Sequence, residues 1–145
     1  MKRKWLTEDN AEIAKLEAEC FSTPWTKGML DGSVNSANFY GLVEEEEGSI
    51  VAYVGSSFDF WEAEVLLVCV KPSHRRRGIA EGLLKDIISH YKRLNKETIF
   101  LEVAESNAAA QALYFKLGFK KIAVREKYYD DTEDAFVLAL SLKEI

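Results

Sequence analysis

The fold of this chain is decided by residues 64–80, which read EVLLVCVKPSHRRRGIA. The first part of this stretch is a continuous apolar run that stops before Pro72, and such a run predicts a central strand covered on both faces. Apolar side chains at helical spacing follow Gly78, so a long helix is expected to begin there. A buried strand, a short basic loop and a helix therefore follow one another directly.

The segments on either side complete a mixed sheet. Thr98–Val103 has the composition of another strand, and a strand-helix-strand crossover places its two strands parallel in one sheet. Upstream, Phe39–Glu44 and Ile50–Phe58 predict an antiparallel pair that flanks a solvated acidic turn at residues 44–49. The predicted fold is α/β, with a mostly antiparallel sheet of roughly six or seven strands, a central parallel pair and about four helices.

Capping residues and spacing predict the remaining elements. They are a helix from Asp9 or Asn10 to Cys20, a short helix capped by Thr26, a helix from the cap at Ser106-Asn107 through Lys116 with Gly118 after its end, and strands at Lys120–Lys127 and Ala135–Leu142. With a first strand at the start of the chain, the predicted order is β, α, α, β, β, β, α, β, α, β, β.

Length and composition indicate one globular domain that spans residues 1–145. Hydrophobic residues make up 48% of the chain and charged residues 30%, as in soluble proteins. The net charge of −5 disfavours direct binding to nucleic acid or to an anionic membrane. Cys20 and Cys69 predict no disulfide framework, and no signal sequence or membrane span is recognisable, so we expect a cytoplasmic protein. The two histidines and two cysteines lack ligand spacing, so no metal site is predicted.

The loop Arg75–Ala80 is a candidate anion site. Backbone N–H groups and the helix dipole favour an anion where a helix follows a buried strand, and Gly78 and Ala80 allow close approach of a diphosphate. Residues 71–80 contain four basic and no acidic residues, which supports a polyphosphate ligand. The loop lacks the G-x-G-x-x-G and Walker motifs, which disfavours NAD and ATP as its ligand. From the pattern alone, a solvated basic turn is an equal alternative.

Arg75-x-x-Gly78-x-Ala80 after a Pro-terminated apolar strand resembles the coenzyme A pyrophosphate loop of the GNAT superfamily of N-acetyltransferases. Further motifs are similar to the RimI branch of that superfamily: Cys20 to Trp25, Leu101-Glu102-Val103, Ser106 to Ala110, Leu113-Tyr114, Leu117-Gly118-Phe119, Tyr128-Tyr129 and Glu133-Asp134-Ala135. The resemblance implies the GNAT fold and an enzyme that uses acetyl-CoA. In that branch the acceptor is the N-terminal alanine of a small-subunit ribosomal protein.

Two catalytic roles follow from the resemblance. Glu102 would be the general base, directly or through a water, and Tyr114 would be the general acid that protonates the departing thiolate. From the residues alone, an exposed carboxylate at a strand end is favoured for Glu102, and an aromatic packing residue for Tyr114. Cys69 as an acyl-carrying nucleophile is a disfavoured alternative, because no histidine lies near it in sequence.

The resemblance also implies two binding regions. The cofactor would contact Val68, Cys69, Val70, Arg75, Arg76, Arg77, Gly78, Ile79, Ala80, Glu81 and Asn107. The acceptor would contact Phe21, Trp25, Tyr128, Tyr129, Asp131 and Asp134. Ordinary roles remain open for these residues, such as helix capping for Asn107 and packing for the aromatic side chains. Two other functions remain open as well: acetylation of a lysine side chain or a small amine, and CoA binding without turnover.

Overall fold

The structure, a computed structural model, describes residues 1–129 and 133–143, with the backbone alone at 127–129. Its elements are β1 (Lys2–Lys4), α1 (Asn10–Cys20), α2 (Lys27–Val34), β2 (Phe39–Glu46), β3 (Ser49–Phe58), β4 (Glu62–Val70), α3 (Ile79–Arg93), β5 (Thr98–Ala104), α4 (Ala108–Lys116), β6 (Lys120–Tyr129) and β7 (Glu133–Ser141). Short 3-10 turns occur at Thr7–Asp9 and Pro72–His74. The predicted element order is confirmed.

All the strands join in a seven-stranded sheet with the order β1-β2-β3-β4-β5-β7-β6. Every neighbouring pair is antiparallel except β4 and β5, which are parallel and connected through α3. The predicted fold class, a mixed and mostly antiparallel sheet with one central parallel pair, is therefore confirmed.

Helices cover both faces of the sheet. On one face α3 buries Leu83, Leu84, Ile87 and Tyr91 in the core that also holds residues of β4 and β5. On the other face α1 and α2 pack on a second core around Trp5, whose ring leaves no room for a Cβ at Gly41. We refer to these as the α3–α4 face and the α1–α2 face. Within residues 1–129 and 133–143, no helix is long and apolar enough to span a membrane.

The acidic segment differs from its prediction as a solvated turn. β2 continues to Glu46, and the turn consists of Glu47 and Gly48, both with positive φ, as a two-residue hairpin requires. The strand is longer because Glu45 and Glu46 pair with Ile50 and Ser49 of β3, and the Arg3 guanidinium of β1 lies 3.2 Å from the Glu45 carboxylate. Opposite charges on adjacent strands thus stabilise residues that sequence alone assigned to a loop.

β4 and β5 pair over only three residues of each strand. The pairs are Glu62 with Thr98, Ala63 with Ile99 and Glu64 with Phe100, after which the two strands continue without pairing to each other. β4 also contains a bulge, since Val65 and Leu67 face consecutive residues of β3. The prediction that this strand is covered on both faces holds at Val65 and Cys69, whereas residues 66–68 are only half-buried.

Candidate active site

A cleft opens where β4 and β5 separate. It lies between residues 65–70 of β4 and residues 101–104 of β5, and we use the word cleft for this gap. Each strand is followed by a loop and then by a helix, α3 after β4 and α4 after β5. Because the two strands run parallel, both loops and both helix N-termini lie at the same end of the sheet. The predicted cofactor residues are drawn from this end.

The loop after β4 is held in a defined shape. The Arg75 Nε–H group donates a hydrogen bond of 2.9 Å to the carbonyl oxygen of Val70. Gly78 has φ +76°, and no atom lies within 4 Å of a Cβ added there, so its backbone conformation and not crowding calls for glycine. The sharp turn at Gly78 starts α3 immediately after the three exposed arginines, Arg75 to Arg77.

The start of α3 presents backbone donors beside those arginines. Its first helical hydrogen bond runs from the Gly82 N–H to the Gly78 carbonyl at 3.0 Å. The N–H groups of Ile79, Ala80 and Glu81 precede that bond and have no acceptor inside the helix, as at any helix N-terminus. The helix dipole adds partial positive charge at the same place. Together the loop and helix start form an arrangement that can bind an anion.

The Glu81 side chain points to other partners. Its carboxylate lies 2.7 Å from Lys116 Nζ on α4 and 3.0 Å from Lys85 Nζ on its own helix. These hydrogen bonds, first that of Lys116 and then that of Lys85, lower the pKa of Glu81. The carboxylate therefore links α3 to α4, which leaves the backbone N–H as the group that Glu81 offers to an anion.

The edge of β4 that lines the cleft alternates in its backbone groups. The Lys71 N–H bonds to Val51 of β3 at 2.8 Å, so Cys69 also directs its backbone groups to β3. By the same alternation, Val68 and Val70 direct their N–H and carbonyl groups towards the cleft. The Val70 carbonyl is the one that accepts the Arg75 hydrogen bond.

Cys69 itself is 4% exposed, in the core of the α1–α2 face. Burial, and then the neighbouring Cys20 thiol, raises the pKa of the Cys69 thiol to about 12. A thiol with this pKa is protonated at neutral pH and is a weak nucleophile. The geometry gives no support to an acyl group carried on Cys69.

On the β5 side of the cleft, Asn107 caps α4. Its Oδ1 accepts a hydrogen bond of 3.1 Å from the Ala110 N–H, which confirms the predicted cap. The Ser106 N–H donates to the Glu133 carboxylate at 2.7 Å and ties the start of α4 to β7. On α4, Tyr114 is 8% exposed, and its ring packs edge to face on Phe119 in the core of the α3–α4 face.

A cavity of about 190 Å³ lies at the point where β4 and β5 separate. The residues that line it are Glu64, Phe100, Leu101, Glu102, Arg125 and Val137. The Glu102 side chain is 19% exposed, and its carboxylate lies 2.9 Å from Arg125 Nη1. Glu102 is therefore a half-buried, ion-paired carboxylate, unlike the exposed strand-end residue that the sequence alone would favour.

Glu64 stands beside that ion pair. Glu64 is exposed, yet partial desolvation of its carboxyl, and then the negative charge of Glu102, raises the pKa of that group, while Arg125 acts in the opposite direction. Two carboxylates and one guanidinium among the lining residues give the cavity a net negative character. Such a site can attract a cationic group and accept a proton from it.

The predicted acceptor residues occupy two regions. Trp25 follows α1 and packs against the core of the α1–α2 face. Its backbone N–H donates a hydrogen bond of 3.1 Å to the buried Glu17 carboxylate. Phe21, in the same segment, is exposed. Asp134, at the start of β7, accepts a backbone hydrogen bond of 3.0 Å from Glu105. Tyr128 and Tyr129 lie in β6, where the backbone alone is described, and Asp131 lies outside the described residues.

Residues 10–119 of the sequence match the acetyltransferase (GNAT) family. This chain belongs to the GNAT acetyltransferase family. It is 30% identical over 139 residues to the ribosomal protein bS18-alanine N-acetyltransferase of Escherichia coli, a match that covers 94% of this chain and 93% of that protein. The family resemblance and the enzyme class expected from the sequence are confirmed.

Solved structures agree with this assignment. The crystal structure of the ribosomal-protein-S18-alanine N-acetyltransferase from Escherichia coli aligns with a TM-score of 0.93 at 27% identity, covering 100% of this chain and 95% of that one. The structure of Arabidopsis thaliana NAA60 in complex with acetyl-CoA shares the fold, with a TM-score of 0.85 at 15% identity and 97% coverage of both chains.

Two charged residues that line the cavity of this GNAT acetyltransferase are not predicted from the sequence. Glu64 opens an apolar run and was interpreted as the boundary of a strand, while Arg125 was one of several charged residues in a predicted strand. The usable signal was the parallel pairing of the strands that carry Glu64 and Glu102, which places both near the end of their shared ladder. Among the described residues, no cluster of three His, Cys, Asp or Glu side chains could hold a metal ion.

Proposed function

We propose that this GNAT acetyltransferase transfers an acetyl group from acetyl-CoA to a protein N-terminal α-amine, that of the N-terminal alanine of a small-subunit ribosomal protein. The observation that carries the proposal is the cleft, which has an anion-binding loop on one strand and the half-buried Glu102 carboxylate on the other. The relationship to an enzyme named for acetylating the alanine of ribosomal protein bS18 supports this acceptor.

The residues around the cleft fit acetyl-CoA. The N–H groups of Ile79, Ala80 and Glu81, with Arg75, Arg76, Arg77 and the turn at Gly78, would hold the diphosphate. Val68 and Val70 would offer backbone groups, and Asn107 its amide, to the pantetheine arm, with Cys69 packed behind them. When bound, acetyl-CoA supplies the thioester whose carbonyl carbon the amine attacks. NAA60, which shares the fold, was solved in complex with acetyl-CoA, and this supports acetyl-CoA as the cosubstrate.

The chemistry favours an α-amine over a lysine. At pH 7 deprotonation costs roughly 1 kcal/mol for an N-terminal amine and roughly 4.6 kcal/mol for a lysine, given reference pKa values of ~7.7 and ~10.4. Glu102 takes a proton from the amine, and the ion pair with Arg125 holds its carboxylate in place. Tyr114 donates a proton to the departing thiolate, and a backbone N–H of β4 stabilises the thioester oxygen.

The acceptor region shapes what reaches the cavity. Phe21 and Trp25 on the segment after α1, with Tyr128, Tyr129, Asp131 and Asp134 in the segment from β6 to β7, would contact the incoming peptide. The buried Glu17 carboxylate holds the Trp25 backbone, which gives that side of the region a fixed position.

The test is acetylation of peptides followed by intact mass. One peptide begins with alanine and contains no lysine, and the other has a blocked N-terminus and an internal lysine. We expect mass gain only on the first. Mass gain only on the lysine peptide would establish a side-chain acetyltransferase instead, and bound CoA without any turnover would establish a binding module.

The catalytic roles are tested with Glu102→Gln and Tyr114→Phe. Each removes a proton-transfer group, so kcat is expected to fall on the order of 10²-fold or more. The matched controls are Glu126→Gln and Tyr40→Phe, which are expected to keep wild-type rates. Glu126 is exposed on β6, and the Tyr40 ring stacks on the His90 ring with 3.5 Å between the ring centroids. Wild-type kcat in both catalytic variants would refute these roles even if the acceptor is correct.

A further inference from the structure

The two cysteines of the chain, Cys20 and Cys69, lie against each other in the core of the α1–α2 face. We propose that they form a modification site, at which hydrogen peroxide closes a disulfide bond between the end of α1 and β4. The proposed catalytic steps use neither thiol, so formation of the bond is independent of the proposed function. Its effect on activity, in contrast, rests on that function.

Local geometry brings the two thiols together. Glu17 and Cys20 are three residues apart on α1, so their side chains lie on one face of that helix. Tyr53 of β3 and Cys69 of β4 are paired directly across the sheet and therefore share one face of it. The Tyr53 hydroxyl donates a hydrogen bond to the Glu17 carboxylate, which holds the helix face against the sheet face. The Cys20 and Cys69 side chains meet beside this contact and are joined by a hydrogen bond.

Contact between the thiols is the main requirement for a disulfide bond. A disulfide needs two Cβ atoms about 3.5–4.5 Å apart and side chains that point towards each other, so distant or divergent cysteines cannot be joined without moving the backbone. The hydrogen bond between Cys20 and Cys69 means that these side chains converge. Both cysteines are reduced in the structure, and the bond can therefore form from the native arrangement with a small local shift.

The two cysteines differ in their access to solvent. Cys20 is partly exposed, whereas Cys69 is 4% exposed, so a dissolved oxidant reaches Cys20 first. The raised pKa of about 12 leaves roughly one Cys69 thiol in 10⁴ ionised at pH 8. Groups held in contact can have effective concentrations of about 10⁵ M or more, which offsets that small fraction. Cys69 is therefore expected to react with an oxidised Cys20 and with no reagent in solution.

The oxidation balances in two steps. The Cys20 thiolate attacks one oxygen of hydrogen peroxide, the oxygen–oxygen bond breaks, and the leaving hydroxide takes up the Cys20 proton, which gives a sulfenic acid and water. The Cys69 sulfur then attacks the Cys20 sulfur, the sulfur–oxygen bond breaks, and the departing hydroxide leaves as water with the Cys69 proton. The two thiols lose two electrons and two protons, and one peroxide is reduced to two waters.

The bond would change the position of the acceptor region. Cys20 is the last residue of α1 and directly precedes the segment that contains Phe21 and Trp25, while Cys69 lies within the part of β4 that lines the cleft. A disulfide draws the sulfur atoms from contact distance to about 2.05 Å, so the start of that segment is pulled towards β4. A displacement of ~1 Å at a substrate-positioning group can cost on the order of 10²-fold in rate, and we expect the oxidised enzyme to be at least about tenfold less active.

The first measurement follows the bond itself and needs no substrate. Wild-type protein is treated with hydrogen peroxide, the remaining thiols are blocked with iodoacetamide in urea, and a digest is mapped without reduction. We expect a cross-linked pair of peptides that contains Cys20 and Cys69, formed within one chain. Oxidation of Cys20 to a sulfinic acid while Cys69 is still alkylated in urea would overturn the inference.

The second measurement compares kcat/KM for an alanine-initiated peptide before and after peroxide in wild type and in Cys20→Ser. Wild type should lose about tenfold and recover with dithiothreitol, whereas Cys20→Ser, which cannot form the bond, should keep its activity. Equal losses in both proteins, or an unchanged rate in fully cross-linked wild type, would refute the effect on activity. Reduced wild-type protein that acetylates no α-amine would instead refute the proposed function and leave the result of the peptide map intact.

Discussion

The Arg75 Nε–H group donates a hydrogen bond of 2.9 Å to the Val70 carbonyl, so the loop at residues 75–80 is attached to the last residue of the strand that precedes it. The turn at residues 72–74 lies between these two residues and is held by the same contact. The loop therefore has its shape without a ligand, and less ordering is needed when an anion binds.

Substitution by alanine at Gly78 and at Gly82 is expected to change the free energy of unfolding in opposite directions. Gly78 has φ +76° and open space around it, so Gly78→Ala costs only backbone strain, about 1–2 kcal/mol, and should weaken CoA binding as the turn relaxes. Gly82 lies inside α3, where an added Cβ meets Lys2 Nζ at 3.8 Å, so Gly82→Ala should stabilise by about 0.5–1 kcal/mol. Urea denaturation measures both, and equal signs would contradict this assignment.

Local patterns were sufficient for most of the fold. The helix at Ile79–Arg93 was predicted because its apolar side chains recur at helical spacing, and those of Leu83, Leu84 and Ile87 are buried as expected. The caps at Thr26 and Asn107 were predicted because a side-chain oxygen bonds to an N–H three residues later, within the same turn. Each of these signals acts over a few residues.

The cavity could not be predicted in the same way. Glu64, Glu102 and Arg125 come from three different strands. β4 lies beside β5, whereas the Arg125 side chain of β6 contacts Glu102 across the intervening β7. The contact between Arg3 of β1 and Glu45 of β2 likewise joins residues some forty positions apart in sequence. Such features are fixed by long-range pairing, for which the periodicity of one segment carries no signal.

The buried Glu17 carboxylate provides a second prediction. Glu17 is 1% exposed. Its carboxylate accepts one hydrogen bond from the Tyr53 hydroxyl and another, of 3.1 Å, from the backbone N–H of Trp25. Tyr53→Phe removes one hydrogen-bond partner of the buried Glu17 carboxyl group and should cost about 1–3 kcal/mol in urea denaturation. It should also raise KM for the peptide, because Trp25 loses part of its support.

Tyr91→Phe is the matched control for Tyr53→Phe. The Tyr91 hydroxyl is also buried, but its partner is the Ser56 hydroxyl at 2.6 Å, which bonds the Tyr40 carbonyl as well. Loss of a neutral hydrogen bond should cost about 0.5–1.5 kcal/mol and leave the peptide KM unchanged. A larger loss in Tyr91→Phe than in Tyr53→Phe would argue against this role of the hydrogen bond from Tyr53 to Glu17.

Cys69 is expected to be inert towards dissolved reagents in the folded protein. Burial and the adjacent Cys20 raise the pKa of its thiol to about 12, so almost none is thiolate at pH 8. Native protein treated with iodoacetamide at pH 8 should stay unmodified at Cys69, whereas urea-unfolded protein should react. Incubation with acetyl-CoA alone should give no acetyl-cysteine by peptide mapping, and its detection would revive a covalent route.

Because of Asp9, the free energy of unfolding should decrease at acid pH. Burial alone would raise the pKa of Asp9, but hydrogen bonds from Arg3 and from the Leu6 N–H outweigh it and lower the pKa below its ordinary value. The ionised form therefore stabilises the fold above the ordinary pKa of an aspartate, and that contribution is lost as pH falls through the lowered value.

The matching experiment compares Asp9→Asn with wild type by urea denaturation. The variant should be less stable by about 1–3 kcal/mol at pH 7, and the two proteins should converge as the pH falls below the lowered pKa of Asp9. Asp86→Asn is the control, because its ion pair with Lys2 is exposed and should contribute less than about 1 kcal/mol. A difference for Asp9→Asn that persists unchanged at low pH would argue against this account.

The sheet has two parts, one formed by β1 to β4 and the other by β5 to β7, which are joined by the short ladder between β4 and β5. A ligand in the cleft touches both halves, so its binding free energy adds to the cohesion of the whole molecule. A ligand at a hundred times its Kd adds about 2.7 kcal/mol to the free energy of unfolding. Bound acetyl-CoA would thus stabilise the folded enzyme reversibly. The lifetime of the enzyme in a cell would then depend on the supply of acetyl-CoA.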